Sequence, residues 1–165
     1  MGVDSILLTH AEVTVALAGF ASVAAVLRRP LSPIQRQRFF SILFAALALV
    51  LGSLVPLWLS EVEVVGPALW RTASAFLLVL VLAHIFAVLY LPLRTLGMRS
   101  LIVINMPVTY LVHGLVAAAL GLLVINLVGV PTPDFGLYYA ALLAGLVAVF
   151  FVFADAVVIG DNETS

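Results

Sequence analysis

The chain contains no cysteine and no lysine, and only 9% of its residues are charged. Without cysteine it can form no disulfide, and it lacks thiolate ligands for an iron–sulfur cluster or a cysteine-type zinc site. The few charges nearly balance, with a formal net charge of −1. Nucleic-acid binding usually needs a basic face or stripe, so this composition also argues against a nucleic-acid partner.

Apolar residues, in contrast, make up 65% of the chain, and its mean hydropathy is +1.30. A soluble domain of this length cannot bury so much apolar surface, so we expect the chain to be surrounded by a lipid bilayer. The polar segments between the apolar runs are short. This predicts a single transmembrane domain over residues 1–165, with no appended soluble domain.

Five apolar runs are each about as long as the roughly 20 helical residues that cross the hydrocarbon core of a bilayer. Short connectors that carry arginine, proline or acidic residues separate them. We therefore predict an all-α membrane bundle of five transmembrane helices, at residues 5–27, 39–59, 68–91, 101–128 and 136–159.

The arginines predict the orientation of this bundle. The first and third connectors hold six of the seven arginines, and the other two connectors carry acidic residues. The remaining one, Arg71, lies at the start of the third span. Because cytoplasmic loops are enriched in basic residues, we expect the N-terminus outside and the C-terminus in the cytoplasm.

Polar side chains inside the apolar runs are the candidate functional residues, because a charge at the bilayer centre costs at least about 2.5–3.5 kcal/mol. The candidates for an ion or proton pathway are Glu12, His84, His113, Asp155, Asn105 and Thr109. Ala16 and Gly19 share the helix face of Glu12, so we expect another helix to cover that face and bury the carboxylate. Glu12 is then either a proton or cation site or a structural carboxyl group, neutral or paired with Arg71.

His84 and His113 lie near the middles of consecutive antiparallel spans, so we expect both imidazoles near the membrane midplane. Two such histidines can belong to a proton or ion pathway, ligate a metal or a b-type haem, or simply form hydrogen bonds in the core. Asn105, Thr109 and His113 follow one another at intervals of four residues and form a polar stripe on one face. We expect Pro107 to kink that helix. The polar stripe then either lines a water-filled route or forms a polar seam between two helices.

Asp155 lies near the cytoplasmic end of the last span. Three alanines share its helix face, so we expect it to point into the protein. It is either hydrogen-bonded to Asn105 or part of a cation or proton site. The usual catalytic motifs of metalloproteases, serine hydrolases and nucleotide-binding enzymes are not found, so the sequence does not predict an enzyme.

Residues 11–20 (AEVTVALAGF), followed by QRQRFF at 35–40 and SLVPLWL at 53–59, resemble a motif of small uncharacterised bacterial membrane proteins. The resemblance covers the first span and part of the second. It implies a multi-pass protein of the bacterial inner membrane but no particular activity.

Two functions are compatible with these features. The first is membrane transport, as a proton- or cation-conducting channel or carrier that needs no cofactor. The alternative is a non-transporting anchor or accessory subunit of a larger membrane complex, either without a pigment or with haem b ligated by His84 and His113. Small-residue stripes on the first and last spans also predict a homo-oligomer.

Overall fold

The computed structural model describes residues 2–27, 31, 33–90, 106–130 and 132–158. The described part is all-helical. Its helices are α1 (Val3–Leu27), α2 (Pro33–Glu61), α3 (Pro67–Ile85), α4 (Met106–Val128) and α5 (Phe135–Val158). A π-helical turn at Phe86–Tyr90 continues α3. All five helices are long and apolar enough to cross a membrane, which confirms the predicted all-α class and the number of long apolar helices for this part of the chain.

Local sequence signals explain several helix ends. Pro67 opens α3 after Gly66, whose φ of 63° suits glycine. The Asp134 carboxylate caps α5 by accepting a 2.8 Å hydrogen bond from the Leu137 backbone N–H. Gly129 ends α4 with a φ of 81°, and its N–H donates to the Ile125 carbonyl at 3.0 Å.

One described helix extends beyond its predicted span in a way that affects the site. The second helix begins at Pro33, ahead of the predicted span at residues 39–59, because proline suits a first turn and the helix continues beyond its apolar run. Arg38 therefore belongs to a helix and not to a connector. The described part of the fourth helix runs from Met106 to Val128. Asn105 and the rest of the predicted start of that span lie outside the described residues, so the kink at Pro107 stays a prediction.

Four of the five helices form a ring. Each of α2, α3, α4 and α5 packs against two neighbours, in that order around the ring, and α5 closes it against α2. Helix α1 lies outside the ring, mainly against α2 and with a smaller contact to α5. Consecutive helices are antiparallel. We name the two ends of the ring by their residues: the Trp70 end contains the starts of α3 and α5, and the Arg38 end contains the starts of α2 and α4.

Large apolar side chains occupy both the inside and the outside of this bundle. Leu77, Leu123 and Leu142 are fully buried among the ring helices, whereas Phe20 and Phe44 are 67% and 55% exposed. A soluble protein rarely leaves so much aromatic and aliphatic surface uncovered. Such a surface is what helices in contact with lipid chains carry.

Candidate functional site

The Trp70 end of the ring is closed by tight packing around Gly52. A Cβ atom at this position would lie 2.9 Å from Leu77 Cδ1 and 3.2 Å from Leu142 Cδ2, so a larger residue would push α3 and α5 away from α2. Tyr138, which is fully buried, donates a 2.5 Å hydrogen bond from its hydroxyl to the Gly52 carbonyl. Bulky side chains thus fill the ring at this level.

A buried amide joins three helices at the same end. Asn126 on α4 donates from Nδ2 to Ser74 Oγ on α3 at 2.9 Å and to the Asp134 carbonyl at 3.2 Å. Its Oδ1 accepts the Asp134 backbone N–H at 2.9 Å. Both functional groups of this fully buried amide are therefore hydrogen-bonded, and the arrangement fixes the start of α5.

His10, which was not among the candidate residues predicted from the sequence, connects α1 to the ring. It is 3% exposed, and its Nε2–H donates to the Leu142 carbonyl on α5 at 3.3 Å. Its Nδ1 lies 2.9 Å from Ser53 Oγ on α2, and this hydroxyl is also 2.9 Å from the Leu49 carbonyl. The one Ser53 hydroxyl proton lies between two acceptors, the Leu49 carbonyl and Nδ1 of a neutral imidazole that carries its proton on Nε2.

The Arg38 half of the ring, in contrast, contains a partly open cavity of about 490 Å³. All four ring helices contribute to its wall, and α1 contributes no residue. The wall is mostly apolar, and many of its side chains are small. The small wall residues are Ala45, Ala48, Ala119, Ala141, Gly145 and Ala148. Because these residues are too short to meet across the ring, the centre is left unfilled.

Polar side chains collect toward the Arg38 end of this cavity. The polar wall residues are Gln37, Arg38, Ser41, His84, Thr109 and His113. A second cavity of about 60 Å³ shares part of this wall, including Arg38, Thr109 and His113, and extends to Asp155. The larger cavity is therefore amphipathic: it is apolar toward Leu77 and Leu123 and polar toward Arg38.

An ion pair lies at the polar end. Arg38 Nη1 is 3.8 Å from Asp155 Oδ2, and the two side chains are only 12% and 5% exposed. The other carboxylate oxygen, Oδ1, is buried and has no hydrogen-bond partner among the described residues. The prediction that Asp155 points into the protein is confirmed. Its charge partner, Arg38, was missed because the sequence assigned Arg38 to a connector.

The two histidines line the same cavity but differ in their surroundings. His84 Nδ1 is buried and lacks a hydrogen-bond partner in the described part of the chain. His113 is exposed, and its Nδ1–H donates to the Thr109 carbonyl one turn earlier at 2.7 Å. Both lie in the Arg38 half of the ring, His84 near the end of α3 and His113 about two turns after Met106. Their position near the membrane midplane stays a prediction.

The remaining predicted residues lie elsewhere. Glu12 is exposed on α1, so its expected burial is wrong; the helix packs on the ring through the opposite face, which carries His10. The guanidinium of Arg71 lies beside Gly129 at the end of α4, where an added Cβ would be 2.6 Å from Nη2. No ion pair joins Arg71 to Glu12 in the described structure.

The structure therefore brings together His84, His113, Thr109 and Asp155 from the predicted set, and adds Arg38 and Gln37. One sequence signal pointed to Gln37 but not to Arg38. Residues 37, 41, 45 and 48 follow at three- and four-residue intervals and are polar or small, as expected for a helix face beside a cavity.

No group of three histidine, cysteine, aspartate or glutamate side chains suited to a metal ion occurs within the described ranges.

No protein-family model matches the chain, and no curated protein or solved structure matches it.

Proposed function

We propose that this chain is a multi-pass membrane protein that binds a hydrophobic small molecule inside its helix ring. The observation that carries the proposal is the cavity of about 490 Å³, with apolar walls from four helices and polar groups at one end. Binding sites for small molecules are typically concave, mostly apolar and about 300–1,000 Å³ in volume, with a few polar groups that orient the ligand.

The character of the walls indicates what occupies the cavity. Apolar cavities tend to stay dry, and an unfilled one deprives its wall of dispersion contacts. An apolar ligand would restore these contacts without displacing bound water. The five long apolar helices support a location in a membrane, where such a ligand dissolves, and the arginine distribution supports a cytoplasmic Arg38 end.

Retinol incorporated into lipid nanodiscs tests this proposal, because its absorbance reports how much of the probe the purified protein retains above empty nanodiscs. Ala45→Phe should lower retention at least tenfold by filling the cavity from α2. Ala118→Phe, on the exposed face of α4, is the matched control and should bind as the unmodified chain does. Equal retention by all three proteins, or retention no greater than in empty nanodiscs, would contradict binding inside the ring.

A second candidate is the proton or cation transport that the sequence favours. The supporting observation is that His84, His113 and Asp155 line two adjoining cavities rather than separate parts of the bundle. Intramembrane ionisable groups of this kind commonly form proton relays. The packing of Tyr138 around Gly52 limits such a pathway to the Arg38 half unless the ring opens.

Vesicles containing a pH-sensitive dye test the transport candidate under an imposed potential. Asp155→Asn should abolish proton flux, and Asp4→Asn, at the exposed start of α1, should leave it unchanged. Flux that is absent from the unmodified chain, or equal in both variants, would reject this function.

The haem-binding accessory function has one observation in its favour. Because His113 donates its Nδ1–H to a backbone carbonyl, its Nε2 is available as a ligand, which is the usual arrangement for metal-bound histidine. A Soret band in the purified protein that disappears in His113→Ala would support haem b, and a colourless protein from haem-replete cells would contradict it.

A further inference from the structure

We infer that the cavity selects an amphiphile with an uncharged head that carries a hydroxyl or carbonyl oxygen. The head lies beside His84, and the apolar body extends toward Leu77 and Leu123. This inference rests on the proposed function, since it names the class of molecule that the cavity binds. It follows from the charges and the hydrogen-bonding groups at the polar end of the cavity.

The charges at the polar end already compensate one another. Arg38 and Asp155 are a cation and an anion 3.8 Å apart, and both are largely buried. Among the described residues of the two cavity walls, the other titratable side chains are His84 and His113. A ligand carboxylate or ammonium would add a net charge to a poorly solvated site, which is costly without a further counterion. A neutral head avoids this cost.

His84 supplies the hydrogen bond that places the head. A buried ring nitrogen without a partner loses the hydrogen bond that it made with water before folding. In a neutral imidazole, Nδ1 is either an N–H donor or an acceptor. A ligand hydroxyl satisfies both forms, and a carbonyl satisfies the donor form. Alcohols, sterols and quinones share this chemistry.

The rest of the wall sets the direction of the ligand. Beyond His84, the wall on α3 continues through Val81 to Leu77, and α4 presents Leu123 at the same level. Past this level Tyr138 and Leu142 fill the ring. An apolar body therefore fits with its end toward Tyr138, and the closed Trp70 end limits its length.

Four retinoids with one polyene body and different heads test the selection. Retinol and retinal are neutral, retinoic acid is an anion and retinylamine is a cation. The chain contains no lysine, so retinal cannot form a Schiff base with a lysine side chain. Retention in nanodiscs, corrected for partition into empty nanodiscs, should be at least tenfold greater for the two neutral probes. His84→Leu should lower retention of retinol about fivefold to tenfold.

Variants of the Arg38–Asp155 ion pair provide the sharper test, because they should shift the preference from neutral to charged head groups. Asp155→Asn removes the one anion from the described cavity walls and should shift the preference toward retinoic acid. Arg38→Gln should shift it toward retinylamine, and the double variant should again prefer the neutral probes. Arg36→Gln, at an exposed position on the same helix, is the matched control. Gel filtration and circular dichroism identify any variant that fails to fold, and the remaining variants then decide the result.

The outcomes separate this inference from the proposed function. Equal retention of all four probes, blocked by Ala45→Phe, would overturn the selection for a neutral head but support binding in the cavity. A preference that does not move in either ion-pair variant would also overturn the selection. Failure of the chain to retain any of the four probes would reject both proposals.

Discussion

The two ends of the helix ring satisfy their buried polar groups in different ways. At the Trp70 end, both functional groups of Asn126 are hydrogen-bonded, and the hydroxyl of Tyr138 reaches a backbone carbonyl. At the Arg38 end, His84 Nδ1 and Asp155 Oδ1 are buried without partners in the described structure. Satisfied networks add rigidity, whereas orphaned groups reduce stability and often mark sites with another role.

The same ends differ in how they fill space. Around Gly52, the side chains of Leu77 and Leu142 approach so closely that even one extra methyl group meets them. Around Ala45 and Ala148, in contrast, the ring contains a cavity. The side chains around Gly52 and those around Ala45 and Ala148 are both mostly apolar, so this contrast comes from side-chain size rather than from hydrophobicity. One half stabilises the fold, and the other half retains space for a ligand.

The largest expected difference in the free energy of unfolding concerns the amide side chains of Asn126 and Gln37. Asn126→Leu should destabilise the fold by about 3 kcal/mol, because it leaves Ser74 and the backbone of Asp134 without partners. Gln37→Leu at the Arg38 end should cost about 1 kcal/mol or less, because its bond to the Val88 carbonyl is long, at 3.4 Å. Unfolding by sodium dodecyl sulfate in mixed micelles measures both values. Equal losses would show that the two ends do not differ in this respect.

The next prediction compares the effect of added side-chain volume at a packed position and at the cavity wall. Ala73→Leu should cost about 2 kcal/mol, since Ala73 is fully buried and the added atoms force neighbouring side chains apart. Ala45→Leu makes the same change on the cavity wall and should remain within about 0.5 kcal/mol of the unmodified protein, because it fills an existing void. The same unfolding titration applies. A larger loss for Ala45→Leu would argue against an open cavity.

The smallest effect concerns the ion pair. Asp155→Asn and Arg38→Gln should each cost roughly 1–2 kcal/mol, less than for a fully buried pair because the atoms are 3.8 Å apart and Arg38 keeps some contact with solvent. The double variant should lose less than the sum of the two single losses. Strictly additive losses would show that the two side chains do not stabilise each other.

The class and number of helices could be predicted because a long apolar run with few charges is best explained as a membrane-spanning helix. The packing of the helices could not, because apolar side chains surround each helix and do not mark its buried face. His10 and Glu12 illustrate this. They are two residues apart, which places them about 200° apart around a helix, so a single neighbour cannot cover both. The small residues near Glu12 favoured the wrong face.

The polar end of the cavity was predicted only in part for a related reason. His84, His113, Thr109 and Asp155 were recognisable as polar residues within apolar runs. Arg38 was not, because apolar length defined the predicted helix and the real helix begins earlier, at Pro33. A charge near a helix end can belong to a loop or to a binding site, and composition alone does not distinguish the two.

The position of α5 has a consequence for the order in which the chain is synthesised. This helix follows the other four, yet it provides the Leu142 carbonyl for His10, the Tyr138 hydroxyl for Gly52 and the Asp155 carboxylate for Arg38. Until α5 has been made, Arg38 lacks the Asp155 carboxylate beside it, and His10 lacks its bond to the Leu142 carbonyl. In the proposed membrane location, we expect a nascent chain that stops before α5 to be less stable than the finished protein, because these polar groups lack their α5 partners.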